Sequence, residues 1–329
     1  MNLIKIKNMR NILNLHFYRK NCILLFVFVC TSLFSQINYN FTSTTGTYNS
    51  LTTYTTLHST NVDDAISAST NIGFTFYYGC QAYTTFQAST NGVMFLGTSG
   101  AFSNAFNDLT SSTDRPAIAP LWDDLKTSGG GRVCYNMTGT APNRVLTVEW
   151  FQMLWDYSAT TWGISFQVKL YETSNRIEFI YQRNGNATQY LVSADASIGI
   201  SGPTSGDFYS LGDVSASPTV SKITETSTLS SKPATNQIYR WDPITCSGTP
   251  SGYALSITIP SNTCTAYTAT LNVSGTGGCG IQYTFQSGPS ASGPWTTFAI
   301  SNNSSTTFNV TGLTYFRTIV TCTISGGGQ

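Results

Sequence analysis

The stretch Ile164-Ser-Phe-Gln-Val-Lys-Leu-Tyr-Glu-Thr-Ser-Asn-Arg-Ile-Glu-Phe-Ile-Tyr-Gln182 holds two alternating apolar rows separated by turn residues. Ile164, Phe166, Val168 and Leu170 occupy every second position, with Ser165, Gln167, Lys169 and Tyr171 between them. A period of two sends successive side chains to opposite faces of a strand, so one face is expected to pack and the other to stay wet. Thr173-Ser174-Asn175 supplies turn chemistry before Ile177, Phe179 and Tyr181 resume the alternation. The pair reads as an antiparallel hairpin.

Similar runs lie on both sides of it. Residues 72–78, 92–96, 132–136, 144–151 and 237–241 read as strands, and 201–235 as loops around weak ones. Asp242-Pro243 and Cys246-Ser-Gly-Thr-Pro250 then look like a connection. Beyond it, residues 254–259, 266–273, 282–286, 296–300, 306–310 and 315–324 are short strand candidates among Gly and Pro turns. The composition is rich in Thr, Ser, Gly, Asn, Tyr and Phe, and no stretch of a dozen residues has a helical apolar period. The expected fold is all-β, with two antiparallel β-sandwich domains at 37–242 and 243–329. The whole is longer than one hydrophobic core usually supports.

Ahead of these, Lys5, Lys7, Arg10, Arg19 and Lys20 precede the uncharged run Cys22–Phe34, 13 residues long, and then Ser35 and Gln36. A bilayer span needs about 20 apolar residues, so 1–36 reads as a cleaved signal peptide with the cut near Gln36. The chain is therefore expected to be secreted or at the cell surface, with no membrane span once the leader is gone. Without the leader, eleven Lys and Arg face fifteen Asp and Glu, a net charge of −4. A charge-poor, weakly acidic surface does not attract phosphate backbones, so no nucleic-acid partner is expected.

Six cysteines remain: Cys80, Cys134, Cys246, Cys264, Cys279 and Cys322. An even number in an exported chain favours disulfides. Cys80 and Cys134 share the first domain and are expected to pair. With no CxxC pair, and with His58 the one histidine after the leader, a zinc site has little to build on.

Asp123 and Asp124 are the sharpest site candidates. Adjacent carboxylates in a loop could ligate Ca2+, an oxygen-seeking cation, or one of them could cap a turn while the other is solvated. Asp63 and Asp64 form a second such pair. Trp155, Tyr157 and Trp162 lie in a segment read as a loop, 152–162, where exposed rings would mark a ligand surface able to stack on sugars and buried ones would only pack. No cofactor other than calcium is suggested. Hydrolytic chemistry has poor support, because no GxSxG elbow accompanies His58. Glu149, Asp156, Glu172 and Glu178 would have to converge in pairs to serve a glycosidase. The expectation is that the chain is not an enzyme.

Pro116-Ala-Ile-Ala-Pro-Leu-Trp-Asp-Asp-Leu125 resembles a motif of nidogen-like extracellular domains, a proline-bounded apolar stretch leading into tryptophan and acids. Ser89-Thr-Asn-Gly-Val-Met-Phe-Leu96, Val148-Glu-Trp150 and the hairpin resemble further segments of that family in order, over roughly 72–200. The likeness is strongest to a variant in large bacterial surface proteins that use the type IX secretion route. It implies noncatalytic binding or adhesion toward an extracellular protein or glycan. The alternative is a carbohydrate-recognising accessory part of a larger secreted hydrolase.

The last domain is similar to immunoglobulin-like modules of the same proteins through Cys246-Ser-Gly-Thr-Pro250, Gly280-Ile-Gln-Tyr-Thr-Phe-Gln286, Gly293-Pro-Trp-Thr296 and Tyr315-Phe-Arg-Thr-Ile-Val-Thr-Cys322. It would be the first of several in a longer parent. That resemblance implies a Cys264–Cys322 bridge, which leaves Cys246 with Cys279. Thr318 stands where many relatives carry a second late cysteine.

Overall fold

The computed structural model describes residues 4–5 (backbone alone), 37–98, 106–111, 113–184, 195–244, 246, 252–260, 266–274, 280–301 and 303–322. Apart from 4–5, the expected leader lies outside these residues, as do Cys264 and Cys279. Among the described residues all regular structure is β and the pairing is antiparallel, in sandwich-like layers. The chain divides into two compact units, with the change at Ile244 to Thr245.

The first unit holds two seven-stranded sheets. One runs, edge to edge, Tyr39–Thr45, Gln237–Pro243, Ile177–Arg183, Ile164–Tyr171, Val145–Trp155, Leu125–Thr138 and Thr55–His58. The other runs Val220–Ser221, Phe208–Leu211, Ser197–Ser201, Ala117–Trp122, Met94–Leu96, Gln81–Ala88 and Thr70–Tyr78. The expected hairpin is at the centre of the first sheet, with Val168 opposite Phe179 and Leu170 opposite Ile177. Asn175 closes its turn at φ 50°, a left-handed conformation that asparagine tolerates better than most side chains.

Phe166, Trp150 and Tyr181 from this sheet share one core with Ile72, Phe76, Phe86 and Ile200 from the other. Trp150 stacks on Phe166 at 5.3 Å between centroids, and its Nε1 donates to Ser89 O at 2.7 Å. The indole is thus buried without an orphaned donor, and such ring pairs add about 0.5–1.5 kcal/mol beyond area burial.

Two local expectations need correction. The polar row of the hairpin is not wet: Ser165 and Gln167 are buried, because the segment 46–54 lies over the outer face and Asn49 O accepts a hydrogen bond from Gln167 Nε2 at 2.8 Å. The strand expected to end at Phe151 continues to Trp155, through an irregularity at which Thr127 pairs with Met153 and Leu125 with Trp155. A side chain on Gly131 would collide with Gln152 O there, so the run Gly129-Gly-Gly131 is what lets the strands close past the bulge.

The second sheet is covered on both sides. Val93, Phe95, Ala117, Ala119, Trp122 and Phe208 form a separate apolar cluster with Leu109 on its outer face. This is why Ala117–Trp122 is buried at every position and reads as a continuous apolar run. Pro120, which has no N–H to give, sits where the pairing to Ser197–Ser201 shifts register. The free edge Thr70–Tyr78 is closed against further pairing by Asn175 Oδ1, which accepts from Tyr77 N at 2.8 Å, and by Arg144 Nη1, which donates to Gly73 O at 2.6 Å.

The second unit stacks Thr296–Ser301, Ile281–Gly288 and Tyr315–Cys322 against Ala254–Thr258, Tyr267–Ser274 and Ser305–Val310. Leu255, Leu271, Phe285 and Phe316 share its core. Ile4–Lys5 pairs with Phe316 and Tyr315 at one edge.

The cysteine expectations also change. Cys322 pairs with Cys246 and not Cys264, since the end of the last strand comes within 5.7 Å (Cα to Cα) of Cys246. Cys246 is therefore not left for Cys279. Cys134 is a buried free thiol, so it does not pair with Cys80, which is disulfide-bonded elsewhere. Cys134 lies within Leu125–Thr138 of the first sheet, whereas Cys80 is in the exposed turn that follows Thr70–Tyr78 of the other. The Cys246–Cys322 bridge spans 76 residues, and a loop of that size restrains the unfolded chain by about 4 kcal/mol. Cys322→Ser is expected to lower the melting transition of the second unit while leaving the first in place. Calorimetry with and without reductant would show it.

Candidate functional site

Three carboxylates, Asp63, Asp64 and Asp124, come together with their ligand atoms all within 4.8 Å of one another. The loop that carries the first two is stitched to the start of Leu125–Thr138 by Thr127, whose Oγ1 accepts from Val62 N at 2.7 Å and donates to Ser59 O at 2.8 Å. Asn61 and Asp64 adopt positive φ there, 57° and 44°, which turns both aspartates toward the bend at Asp123 and Asp124.

Asn91 is the hub of the corner. Its Nδ2 donates to Asp64 Oδ1 at 2.9 Å, its Oδ1 accepts from Leu125 N at 3.1 Å, and its carbonyl accepts from Asp123 N at 3.2 Å. The neighbouring Gly92 has φ 74°, and a Cβ on it would fall 1.8 Å from Leu121 O, so this turn admits glycine alone. Reading the sequence did not single out Asn91. The Asn-Gly pair ahead of an apolar strand was the available signal.

The two adjacent aspartates, read either as a calcium-binding pair or as a turn cap beside a solvated acid, have separate roles. Asp123 is buried, and its carboxylate accepts from Trp155 Nε1 at 2.6 Å, from Asp195 N at 2.9 Å and from Asp124 N at 2.8 Å. It faces into the fold. Asp124 faces Asp63 and Asp64, with Asp156 near enough to act on it as well. Burial first, then Asp64, Asp63 and Asp156, push the Asp124 carboxyl up to about 6. Asp63 also rises, through burial and Asp64, against the pull of Lys126 Nζ at 3.7 Å. Its Oδ1 is shielded from solvent and accepts no hydrogen bond.

Oxygen-only donors of this kind suit Ca2+. Lys126 Nζ and the Asn91 amide offset part of the same charge. The pH dependence follows from the sign of the shift. Because the folded protein holds the Asp124 proton more tightly than the unfolded chain, stability should fall as pH rises from about 4 to about 6, then level off. Asp124→Asn should remove that segment of the curve and stabilise the protein at pH 7 by about 1 kcal/mol, after allowance for solvent screening of a half-exposed group. Thermal melts of both proteins across that range, with and without calcium, are the check. A calcium-dependent rise in Tm in the parent that is lost in the variant would assign the corner to a cation.

Of the aromatic candidates, Trp155 is 1% exposed and belongs to the core, which corrects its expected place on a ligand surface. It sits in the strand that runs past the bulge, not in a loop. Trp162 is half-buried, and its carbonyl accepts from Asn184 Nδ2 at 2.9 Å. Tyr157, 55% exposed, points outward directly after Asp156.

Of the groups considered for hydrolysis, Asp156 lies near Asp124, while the others are dispersed. His58 Nε2 lies 2.9 Å from Ala88 O in a buried position that lowers its pKa. Glu172 pairs with Arg144, which holds its carboxyl at about 2. Glu178 accepts from Arg240 Nε at 2.8 Å and from Tyr171 Oη at 2.5 Å. Glu149 is buried among Tyr48, Gln167, Arg132 and the Leu51 amide.

Fold and site together define an antiparallel β-sandwich domain with an oxygen-rich corner where the Pro116–Leu125 segment meets the Ser89–Leu96 segment. The chain belongs to the NIDO related family, whose match covers residues 38–243 and so contains the corner and every strand of the first sandwich. No curated protein and no solved structure matches it.

Proposed function

We propose that this chain is a noncatalytic binding or adhesion protein, secreted or held at the cell surface, whose nidogen-like domain carries the recognition surface. The second unit serves as an immunoglobulin-like spacer or repeat, as in type IX-secreted surface proteins. One observation carries the reading: the histidine and three of the four acids a hydrolase would use are committed to holding the sandwich, each to a different partner. Glu149 ties down the segment 46–54, Glu172 holds Arg144, Glu178 holds Arg240, and His58 is bonded to Ala88. What faces outward beside the family motif is the Asp63, Asp64 and Asp124 corner, with Tyr157 near it through Asp156.

The partner is an extracellular protein or glycan. Beads coated with the chain lacking its leader should capture a ligand from extracellular-matrix protein and glycan arrays, and Asp124→Ala together with Tyr157→Ala should weaken capture. Turnover of a glycan or ester substrate by the same preparation would defeat the reading. The exposed Tyr157 favours a second one, a carbohydrate-recognising part of a larger secreted hydrolase. A catalytic domain encoded downstream in the same gene would support that alternative.

A further inference from the structure

In the second unit the strand Tyr315–Cys322 pairs on one side with Ile281–Gly288, at every position and without a register shift. On its other side, among the described residues, only Ile4 and Lys5 pair with it, antiparallel, opposite Phe316 and Tyr315. The edge along Arg317–Thr321 thus has no strand beside it among the described residues. Main-chain N–H and C=O groups on such an edge are a template for another strand.

Proteins usually guard an edge of this kind with a bulge, a proline, a charge or a short strand. The first sandwich does so at Thr70–Tyr78, through Asn175 and Arg144. Tyr315–Cys322 has none of these guards. It is the longest described edge strand of its unit, at 8 residues against 5, 6 and 6 for Ala254–Thr258, Thr296–Ser301 and Ser305–Val310. Thr296–Ser301, at the far edge of the same sheet, meets Ile281–Gly288 through a register shift, which bends it. Arg317, the one charge on the open strand, is tied back over its own sheet: its Nε donates to Gln286 Oε1 at 2.6 Å, and its guanidinium lies 4.6 Å from the Trp295 ring centroid.

The outer face beside this edge is apolar where a soluble sheet is normally polar. Ile319 is 41% exposed and Ile300 61%, and both stand opposite Thr284, one on each side of it. The strand is also complementary to itself. Turned antiparallel about Ile319, it sets Arg317 against Thr321 of the second copy, Thr318 against Val320 and Phe316 against Cys322. Like charges stay apart, and Ile319 meets its twin on the same face. Such an interface is isologous and closes as a dimer.

We propose that Tyr315–Cys322 is a self-pairing edge, through which two copies of the mature chain join antiparallel about Ile319, and that Ile4–Lys5 keeps this edge closed while the leader is attached. Phe316 cannot pair with Ile4 and with Cys322 of a second copy on the same side, so the two arrangements exclude each other. Leader removal then releases the edge, and the row Ile300, Thr284, Ile319 continues into its counterpart across a six-stranded sheet. The release step rests on the export reading above, whereas the self-pairing does not.

Sedimentation of the full chain made without its leader, starting at Ile37, tests the self-pairing. It should show a monomer–dimer equilibrium, which Ile319→Lys weakens at least about tenfold by setting two ammonium groups against each other, with an unchanged melting curve. A synthetic peptide of residues 1–8 should dissociate the dimer by taking the edge. A chain that stays monomeric would overturn the proposal, even if it binds the peptide, since the edge would then accept the leader strand alone. A dimer indifferent to Ile319→Lys would place the contact elsewhere and overturn it too. Should Ile319→Lys not fold, the peptide decides: a dimer that the peptide leaves intact is not built on this edge. N-terminal sequencing of the exported protein tests the release separately. An exported chain that still carries Ile4 and Lys5 would defeat the release step, and a chain that never leaves the cell would count against the export reading, while the leaderless chain alone judges the edge.

Discussion

Glu149→Ala is expected to cost the first sandwich about 3–5 kcal/mol and to release the segment 46–54 from the face it covers. The carboxylate is fully buried, and it accepts from Tyr48 Oη and Gln167 Nε2 at 2.8 Å each and from Leu51 N at 3.2 and 3.3 Å. Arg132 approaches it at 3.4 Å, and the guanidinium lies between the rings of Tyr54 and Phe151, at 4.2 and 4.1 Å from their centroids. Removing the acid takes the acceptor from four donors, Tyr48, Gln167, Leu51 and Cys134, and leaves the Arg132 cation unpaired in a largely buried place, which costs more than the pair itself contributes.

Cys134 supplies an internal reporter. Its thiol sits 3.8 Å from Glu149 Oε2, and burial together with that neighbour pushes its pKa up to about 12, so the parent protein should resist alkylation there. In Glu149→Ala the covering segment should lift and Cys134 should become reactive, located by peptide mass spectrometry, with faster amide exchange over 47–54. A variant that melts within about 1 kcal/mol of the parent and keeps Cys134 inert would show that the network does not hold the segment.

Asp123→Ala is expected to destabilise by about 2–4 kcal/mol at neutral pH. This is the opposite sign to the expectation for its neighbour Asp124→Asn. Asp123 is the acceptor for the Trp155 indole, for the Asp195 amide and for the Asp124 amide, in a position 5% exposed. Without it, the indole donor of a fully packed tryptophan has no place to go. Asp123→Asn keeps one side-chain oxygen and should recover part of the loss. The decisive comparison is with calcium and with chelator. A structural acceptor loses the same stability in both, whereas a ligand would lose it in calcium alone. Chemical denaturation of the three proteins under both conditions gives the answer.

The strand pattern was largely legible because alternation is a property of the local backbone. Ile164–Gln182 shows its hairpin register without help from the rest of the chain, and Thr173-Ser-Asn175 names its own turn. Trp155 was misplaced for an equally local reason. Phe151-Gln-Met-Leu-Trp155 breaks the period of two at Gln152, whose φ is 52°, so the end of the strand could not be told from a loop. The burial of Gln167 and Glu149 was also out of reach, since it depends on a segment about a hundred residues away lying across them.

The amino-acid sequence by itself determined that this protein is all-β, where its hairpin turns, and that the acidic residues near a family motif gather at 63–64 and 123–124. The tertiary structure decided which of those acids meet. Asp123 and Asp124 are neighbours in the chain, yet the bend after Trp122 sends one into the core beneath Trp155 and the other toward Asp63 and Asp64, some sixty residues away. It also decided that Cys322 finds Cys246. Period and turn chemistry act over a few residues, while the pairing of distant groups follows from sheet order and from which loops cover which face.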